Sequence, residues 1–354
     1  MRASALAIWL IIAPALAWAQ GFAGLGTEAE GYHRVTPDRV LSFPDDHGPH
    51  PGYRIEWWYL TANLEGSDGQ TYGVQYTLFR QAGAPPPERT GWANQQFWLG
   101  HIAVTSADRH LYAERLARGG VGQAGASSAP FAAWVDDWRL EAVGPGARTA
   151  LGFGQLRLRA QETDFGYDLV LTTDAPPVLQ GEAGYSVKSD RGQASHYYSQ
   201  PYFRARGTIE IEGQAIAVSG RAWMDREWSS QPLAEDQSGW DWFSLHLDET
   251  TKLMLFRLRQ EDGQHYLSGN WIDGTESMPI NGEDIELEIL RETDLPDRRV
   301  PTSWRVAVRS RGVDVSVDPL NARAWNGTQI GYWEGPVSGK GSHDVIGYLE
   351  MTGY

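Results

Sequence analysis

Of the short segments of this chain that set a carboxylate beside tryptophan, three stand out for their chemistry, and a fourth segment joins a histidine to two phenols. They are Glu56-Trp57-Trp58-Tyr59, Trp223-Met224-Asp225-Arg226-Glu227-Trp228, Gly239-Trp240-Asp241-Trp242-Phe243 and Ser195-His196-Tyr197-Tyr198-Ser199. A carboxyl held against indole is poorly solvated, which favours its neutral form and suits it to proton donation near neutral pH. Indole faces stabilise a developing cation. Acid-catalysed chemistry on an apolar substrate is within reach of such side chains.

Each cluster has a bland alternative. In a strand, Glu56 shares a face with Trp58 and Leu60, while Trp57 and Tyr59 share the other. Glu56 is then either a desolvated acid or half of a structural ion pair with Arg80, and the ion pair is the expected role. Asp225 and Glu227 fall on one face with Trp223; Arg226 and Trp228 fall on the opposite one. Two carboxylates at that spacing repel, so one can keep its proton, or both can simply point to water at a strand end. Asp241 shares its face with Phe243 and Leu245. For isolated aromatics the usual role is core packing with one polar partner each.

Other chemistries are excluded by composition. There is no cysteine among 354 residues, so neither a disulfide framework nor a thiolate site or nucleophile exists. The formal charge of −15 opposes binding to nucleic acid or to anionic lipid. Gly120-Val121-Gly122-Gln123-Ala124-Gly125 matches a dinucleotide fingerprint but leads into the loop Ala126 to Pro130, not a helix. No P-loop, nucleophile elbow or zinc-protease motif is present. His47 and His50 are the one close histidine pair, too few for a metal site. No cofactor and no metal are expected.

The elements that must position these groups read as strands. Residues 1–19 carry Arg2, an apolar run and Ala17-Trp18-Ala19, the marks of a cleaved secretory signal peptide. No cysteine follows, so a lipid anchor is not expected, and neither is membrane insertion after cleavage. Residues 20–51 form an extended lead-in rich in Gly, Pro and His. Beyond it, Val, Ile, Thr, Tyr and Trp run in short alternating stretches punctuated by Gly and Asp, as in Ile55 to Leu64, Thr71 to Arg80, Trp134 to Val143 and Lys252 to Arg259. Many short strands at this spacing indicate barrels or sandwiches. Leu78-Phe79-Arg80 recurs as Leu255-Phe256-Arg257, each preceded by an aromatic cluster with a carboxylate. A duplicated β-barrel explains the echo, with domains at 52–220 and 221–354.

Taken in order, Glu56-Trp57-Trp58-Tyr59, His101, Ser195 to Ser199, Asp225-Arg226-Glu227-Trp228 and Gly239 to Phe243 resemble one family. It is the secreted lipocalin-like family of AttH and the carotenoid 1,2-hydratases (CrtC), often labelled "predicted secreted hydrolase". The resemblance runs from about His50 to Tyr354 and implies an all-β chain of two tandem lipocalin-like antiparallel β-barrels. Hydratase members resemble Asp-His-Asn-Trp where this chain has Asp225-Arg226-Glu227-Trp228, so an imidazole mechanism does not transfer and the chain is closer to AttH. Members of that branch are often encoded beside ABC-transporter permeases.

Two functions follow as expectations. In the first, a periplasmic or secreted protein holds an apolar isoprenoid or acyl ligand and performs hydro-lyase or isomerase chemistry on it. Asp225 or Glu227 is the acid, Asp241 a second candidate, and His196 and Tyr198 orient water. Trp58, Trp228, Trp240 and Trp242 line the site. In the second, the protein is a non-catalytic envelope carrier or adaptor working with an ABC-transporter permease, and its acid–arginine pairs only brace the barrels.

Overall fold

The computed structural model describes residues 29–144 and 153–354. The expected signal peptide, and the start of the lead-in, lie outside the described residues. Alternation of β-branched and aromatic side chains produces strands through most of the described residues, joined by turns, loops and a few short 3-10 turns. Among the described residues no helix is long and apolar enough to cross a membrane.

The first sheet takes β1 (Ile55–Gly66), β2 (Thr71–Ala82), β3 (Gln96–Thr105), β4 (His110–Arg118), β5 (Ala124–Ser128), β6 (Phe131–Val135) and β7 (Trp138–Ala142). It continues through β8 (Gln155–Gln161), β9 (Phe165–Thr172), β10 (Val178–Leu179), β11 (Tyr185–Val187), β12 (Ala194–Ile211) and β13 (Gln214–Ser229). The second sheet takes β14 (Gln237–His246), β15 (Thr251–Gln260), β16 (His265–Asp273), β17 (Glu276–Ile280) and β18 (Ile285–Asp294). It ends with β19 (Arg299–Val308), β20 (Val313–Pro319), β21 (Trp325–Asn326), β22 (Tyr332–Gly341) and β23 (Val345–Thr352). All the pairings are antiparallel, and the two sheets make one nearly closed barrel and one half-barrel. This is the all-β, two-barrel architecture expected from the sequence.

Two details differ from the sequence reading. Trp134 to Val143 is a hairpin rather than one strand, because Asp136 takes a left-handed conformation (φ 52°) that breaks the run. The change of barrel also falls later than the boundary drawn at 220/221. Strand β13 runs through Gly220 and pairs with β1 as far as Ile55↔Ser229, so the first sheet ends at Ser229 and the second begins at Gln237. Asp225 and Glu227 therefore belong to the first barrel.

β1 joins β2 to β13, so that Asp225 lies opposite Tyr59 and Arg80 opposite Glu56. In the second sheet β14 is held between β15 and β23 in the same manner. The inner faces fill two separate apolar cores, one around Trp58, Tyr76 and Trp138, the other around Phe243, Trp304 and Trp333. A third cluster, including Tyr59, Tyr197, Trp223 and Trp242, lies between the barrels. There the barrels approach closely. A side chain at Gly73 would collide with Tyr348 and Pro336, so only glycine allows the contact. Tyr348 donates to the Val74 carbonyl at 3.1 Å and Asn63 to the Gly347 carbonyl at 2.8 Å.

Candidate functional site

Strand alternation sends the chemical residues of the first barrel to two places. Inward from β1, β2 and β13 point Glu56, Arg80 and Arg226, all buried. Both arginines donate to the Glu56 carboxylate, and Arg80 also donates to the Gln96 side chain at 2.6 Å and the Tyr53 carbonyl at 2.8 Å. The paired guanidinium groups hold Glu56 well below the usual carboxylate range against the opposing effect of burial. Arg226 lies 3.8 Å from the Trp58 ring centroid, and His50 stacks on Trp228 at 3.9 Å.

The lead-in covers this cluster. Arg226 donates to the Gly48 carbonyl at 2.5 Å, Trp58 to the His47 carbonyl at 2.9 Å, and His47 shares a 2.7 Å hydrogen bond with Tyr198. His196 is wholly buried beside Tyr53 and Trp228. Four residues expected at one ligand site, Trp58, Trp228, His196 and Tyr198, thus line the interior of the first barrel and face away from Asp225. The register gives the reason: His196 lies opposite Trp228 and Tyr198 opposite Arg226, whereas Tyr197 and Ser199 fall on the Asp225–Glu227 face.

Asp241 is likewise turned into its own barrel. It lies opposite Arg257, accepts from Arg257 at 2.7 Å and Arg259 at 2.6 Å, and takes a further hydrogen bond from Tyr354 at 2.8 Å. The expected second acid is therefore a braced carboxylate. The sequence echo acquires a physical meaning here: each Leu-Phe-Arg repeat supplies the arginine that neutralises the acid of its barrel.

The outward faces meet in a cleft between the barrels. Trp57, Tyr59 and Phe79 come from the first barrel with Tyr197, Asp225 and Glu227; Trp240, Trp242, Phe256 and Glu350 come from the second. The cleft holds ≈ 750 Å³ of empty space, its open mouth included. A second hollow of ≈ 900 Å³ adjoins it, sharing Ile55, Phe79, Trp240 and Glu350 and adding His101 and Tyr332.

Among the described residues no arginine pairs with the carboxyl groups of the cleft. Asp225 accepts from Tyr197 and Trp223, each at 2.7 Å, and from Ser199. Burial pushes it up to about 7, with the nearby Glu227 adding to the rise. Trp242 donates to the Tyr197 hydroxyl at 3.2 Å, which ties the chain of bonds to the second barrel. Glu350 is partly buried and accepts from the Trp240 indole at 2.5 Å; burial, with Asp225 and Glu227 nearby, pushes it up to about 7. Glu334 lies directly across the β22–β23 ladder from Glu350. Burial and the Glu350 charge hold Glu334 well above the usual range, and Tyr59 donates to it at 2.5 Å. Glu227 instead pairs with Lys188 at 3.0 Å.

Sequence reasoning missed Tyr197, Lys188, Glu334 and Glu350. Tyr197 reaches the Asp225 face only through the β12–β13 register, which the residue order does not give. Glu350 has no tryptophan beside it in sequence, and Glu334, although it follows Trp333, lies in a strand whose pattern is broken up by Gly335, Pro336, Gly339 and Gly341. Among the described residues no three His, Cys, Asp or Glu side chains are grouped to hold a metal ion. His47 and His50 are occupied by Tyr198 and by Asp46 and Glu56.

Two tandem lipocalin-like barrels with an acid-bearing aromatic cleft between them define the class of this protein. Its particular family follows: the AttH-like family matches residues 34–354, and the chain belongs to it. The crystal structure of an AttH protein from Nitrosomonas europaea is 31% identical and superposes with a TM-score of 0.79, covering 91% of this chain and 99% of that one. Kievitone hydratase from Nectria haematococca shares the fold at 15% identity and TM-score 0.66, over 92% of this chain and 98% of its own. CghA, solved with Sch210972, does so at 12% identity and TM-score 0.53, over 92% of this chain and 96% of that chain. No curated protein matches the chain in sequence.

Proposed function

We propose that the inter-barrel cleft binds an apolar ligand and that Asp225 and Glu350 act on it as proton donors, in a hydration or isomerisation. One observation carries the reading: two carboxyl groups with no cationic partner among the described residues, both pushed up to about 7, face an aromatic cleft. An acid that titrates near the working pH both gives and regains a proton readily. Trp57, Trp240 and Trp242 supply the apolar walls and the faces that stabilise positive charge. The kievitone hydratase likeness supports a fold able to house water addition. The expected leader would deliver the protein to the periplasm or beyond, where a transporter partner is the natural source of an apolar ligand.

The reading is tested by native mass spectrometry and lipid extraction of protein purified from its own envelope. Wild type carries an apolar molecule, Trp240→Ala with Trp242→Ala loses it, and Asp225→Asn with Glu350→Gln retains it in unconverted form. Recovery of no ligand removes the cleft reading. An identical product profile in the acid variants removes the catalytic part and leaves the non-catalytic carrier.

A further inference from the structure

Resting on the proposed cleft chemistry, one side chain narrows the class of ligand. Lys188 is the single cation among the residues that line the cleft. It is buried, its ammonium 3.0 Å from Glu227, with the ring centroids of Tyr197 and Phe256 at 5.0 and 4.3 Å. An ammonium carries three donors, and Glu227 is its one carboxylate partner among the described residues. We infer that Lys188, with the cleft carboxyl groups, forms a recognition site for a neutral carbonyl oxygen, so that the ligand is an apolar ketone or aldehyde bearing a conjugated double bond.

Two physical arguments lead there. The first is occupancy. A hydrocarbon filling this cleft would strip water from Lys188, Asp225 and Glu350 and offer no acceptor in return, and unmatched buried donors are costly. A fatty acid would bring a negative charge to an ammonium that Glu227 already neutralises, beside two further carboxyl groups. A carbonyl accepts from the ammonium and adds no charge.

The second argument is reactivity. A carboxylic acid that titrates near neutrality is a weak proton donor, poorly matched to an isolated alkene but well matched to an enolate. With the carbonyl oxygen on Lys188, water adds at the β-carbon and forms the C–O bond. The alkene electron pair moves into the enolate, whose charge the ammonium stabilises. A cleft acid then protonates the α-carbon. The proton released by the attacking water restores that acid, so H and OH are gained across the double bond and the protein is unchanged.

The test uses full-length mature protein and quenching of its cleft tryptophans by four probes of one chain length: undecan-2-one, undecan-2-ol, undecanoate and undecane. The ketone is expected to bind about tenfold more tightly than undecane or undecanoate, the worth of one well-placed hydrogen bond to a charged donor. Lys188→Met should erase that preference, weakening ketone binding and tightening undecane binding, because no ammonium is left to be stripped of water. Because this change strands Glu227, Lys188→Met with Glu227→Gln removes the pair together and must give the same result. Ketone and undecane binding alike, or a preference that survives both variants, overturns the inference and leaves the cleft reading standing. Binding of none of the four overturns both.

Discussion

Glu56 and Asp225 belong to neighbouring strands, each lies within two residues of a tryptophan, and both are buried, yet their surroundings are opposite. Glu56 faces the barrel interior between Arg80 and Arg226 and is held well below the usual range. Asp225 faces the cleft, bonded only to neutral donors, and is pushed up to about 7. Asp241 repeats the double arginine pairing in the second barrel, and Glu350 repeats the setting of Asp225. Burial alone therefore does not fix a carboxyl group's role. The presence of a cation across the strand ladder decides between a brace and an acid.

The sharpest way to break this contrast is to remove the braces. Glu56→Gln should cost about 3–5 kcal/mol, because two arginines are left buried without their counter-charge. Chemical denaturation would show it, and a loss below about 1 kcal/mol would mean that Glu56 is not a brace. Asp241→Asn should behave similarly but somewhat more mildly, since Arg257 and Arg259 are less deeply buried than Arg80 and Arg226.

The pH dependence of stability carries the same contrast with opposite signs. Asp225 and Glu350 keep their protons in the folded chain until about pH 7, whereas in the unfolded chain they lose them near 3.8 and 4.5. Folding thus retains protons between those limits. The stability these groups contribute is full below about pH 4 and declines as pH rises towards 7. Glu56, and Asp46 at about 2, act the other way: their contribution is present above the ordinary carboxylate range and is lost as pH falls below it. Denaturant midpoints should peak near pH 5. Asp225→Asn with Glu350→Gln should flatten the decline above that pH while leaving the acid limb intact. A slope unchanged in the double variant would show that the cleft carboxyls are ionised like surface ones.

Smaller effects refine the boundary between the two regions. Glu350→Gln should leave stability at pH 5 within about 1 kcal/mol, since the amide oxygen still accepts from Trp240. Tyr198→Phe removes only the bond to His47 and should cost about 1 kcal/mol. It should also leave the affinity of the cleft for any probe unchanged, because Tyr198 lies on the other side of the β12–β13 wall; an altered affinity would reconnect the two regions.

Much of this was legible in the residue order. Alternating β-branched and aromatic residues specify the strands, and the spacing of their breaks specifies barrels. The duplicated Leu-Phe-Arg marks the two braces, since Arg80 and Arg257 are the cross-strand partners of Glu56 and Asp241. Period 2 correctly separated Glu56 with Trp58 from Trp57 with Tyr59, and Asp225 with Glu227 from Arg226 with Trp228. His196 and Tyr198 were assigned to the wrong side because the β12–β13 register, not sequence proximity, sets which face they share.

The sequence by itself determined which side chains sit on which face of each strand, because successive residues must point to opposite sides of a pleated sheet. It also determined that the acids would be carboxyls among indoles, there being no thiol to compete. Which face becomes a barrel interior and which a cleft was decided only when the two barrels packed, with Gly73 against Tyr348 and Tyr59 against Glu334. That packing brings Glu350 to Asp225 from far along the chain, with Trp240 beside it. Removing water from carboxyls that no arginine pairs with among the described residues is what gives them their raised affinity for a proton, and desolvation is a property of the assembled surface.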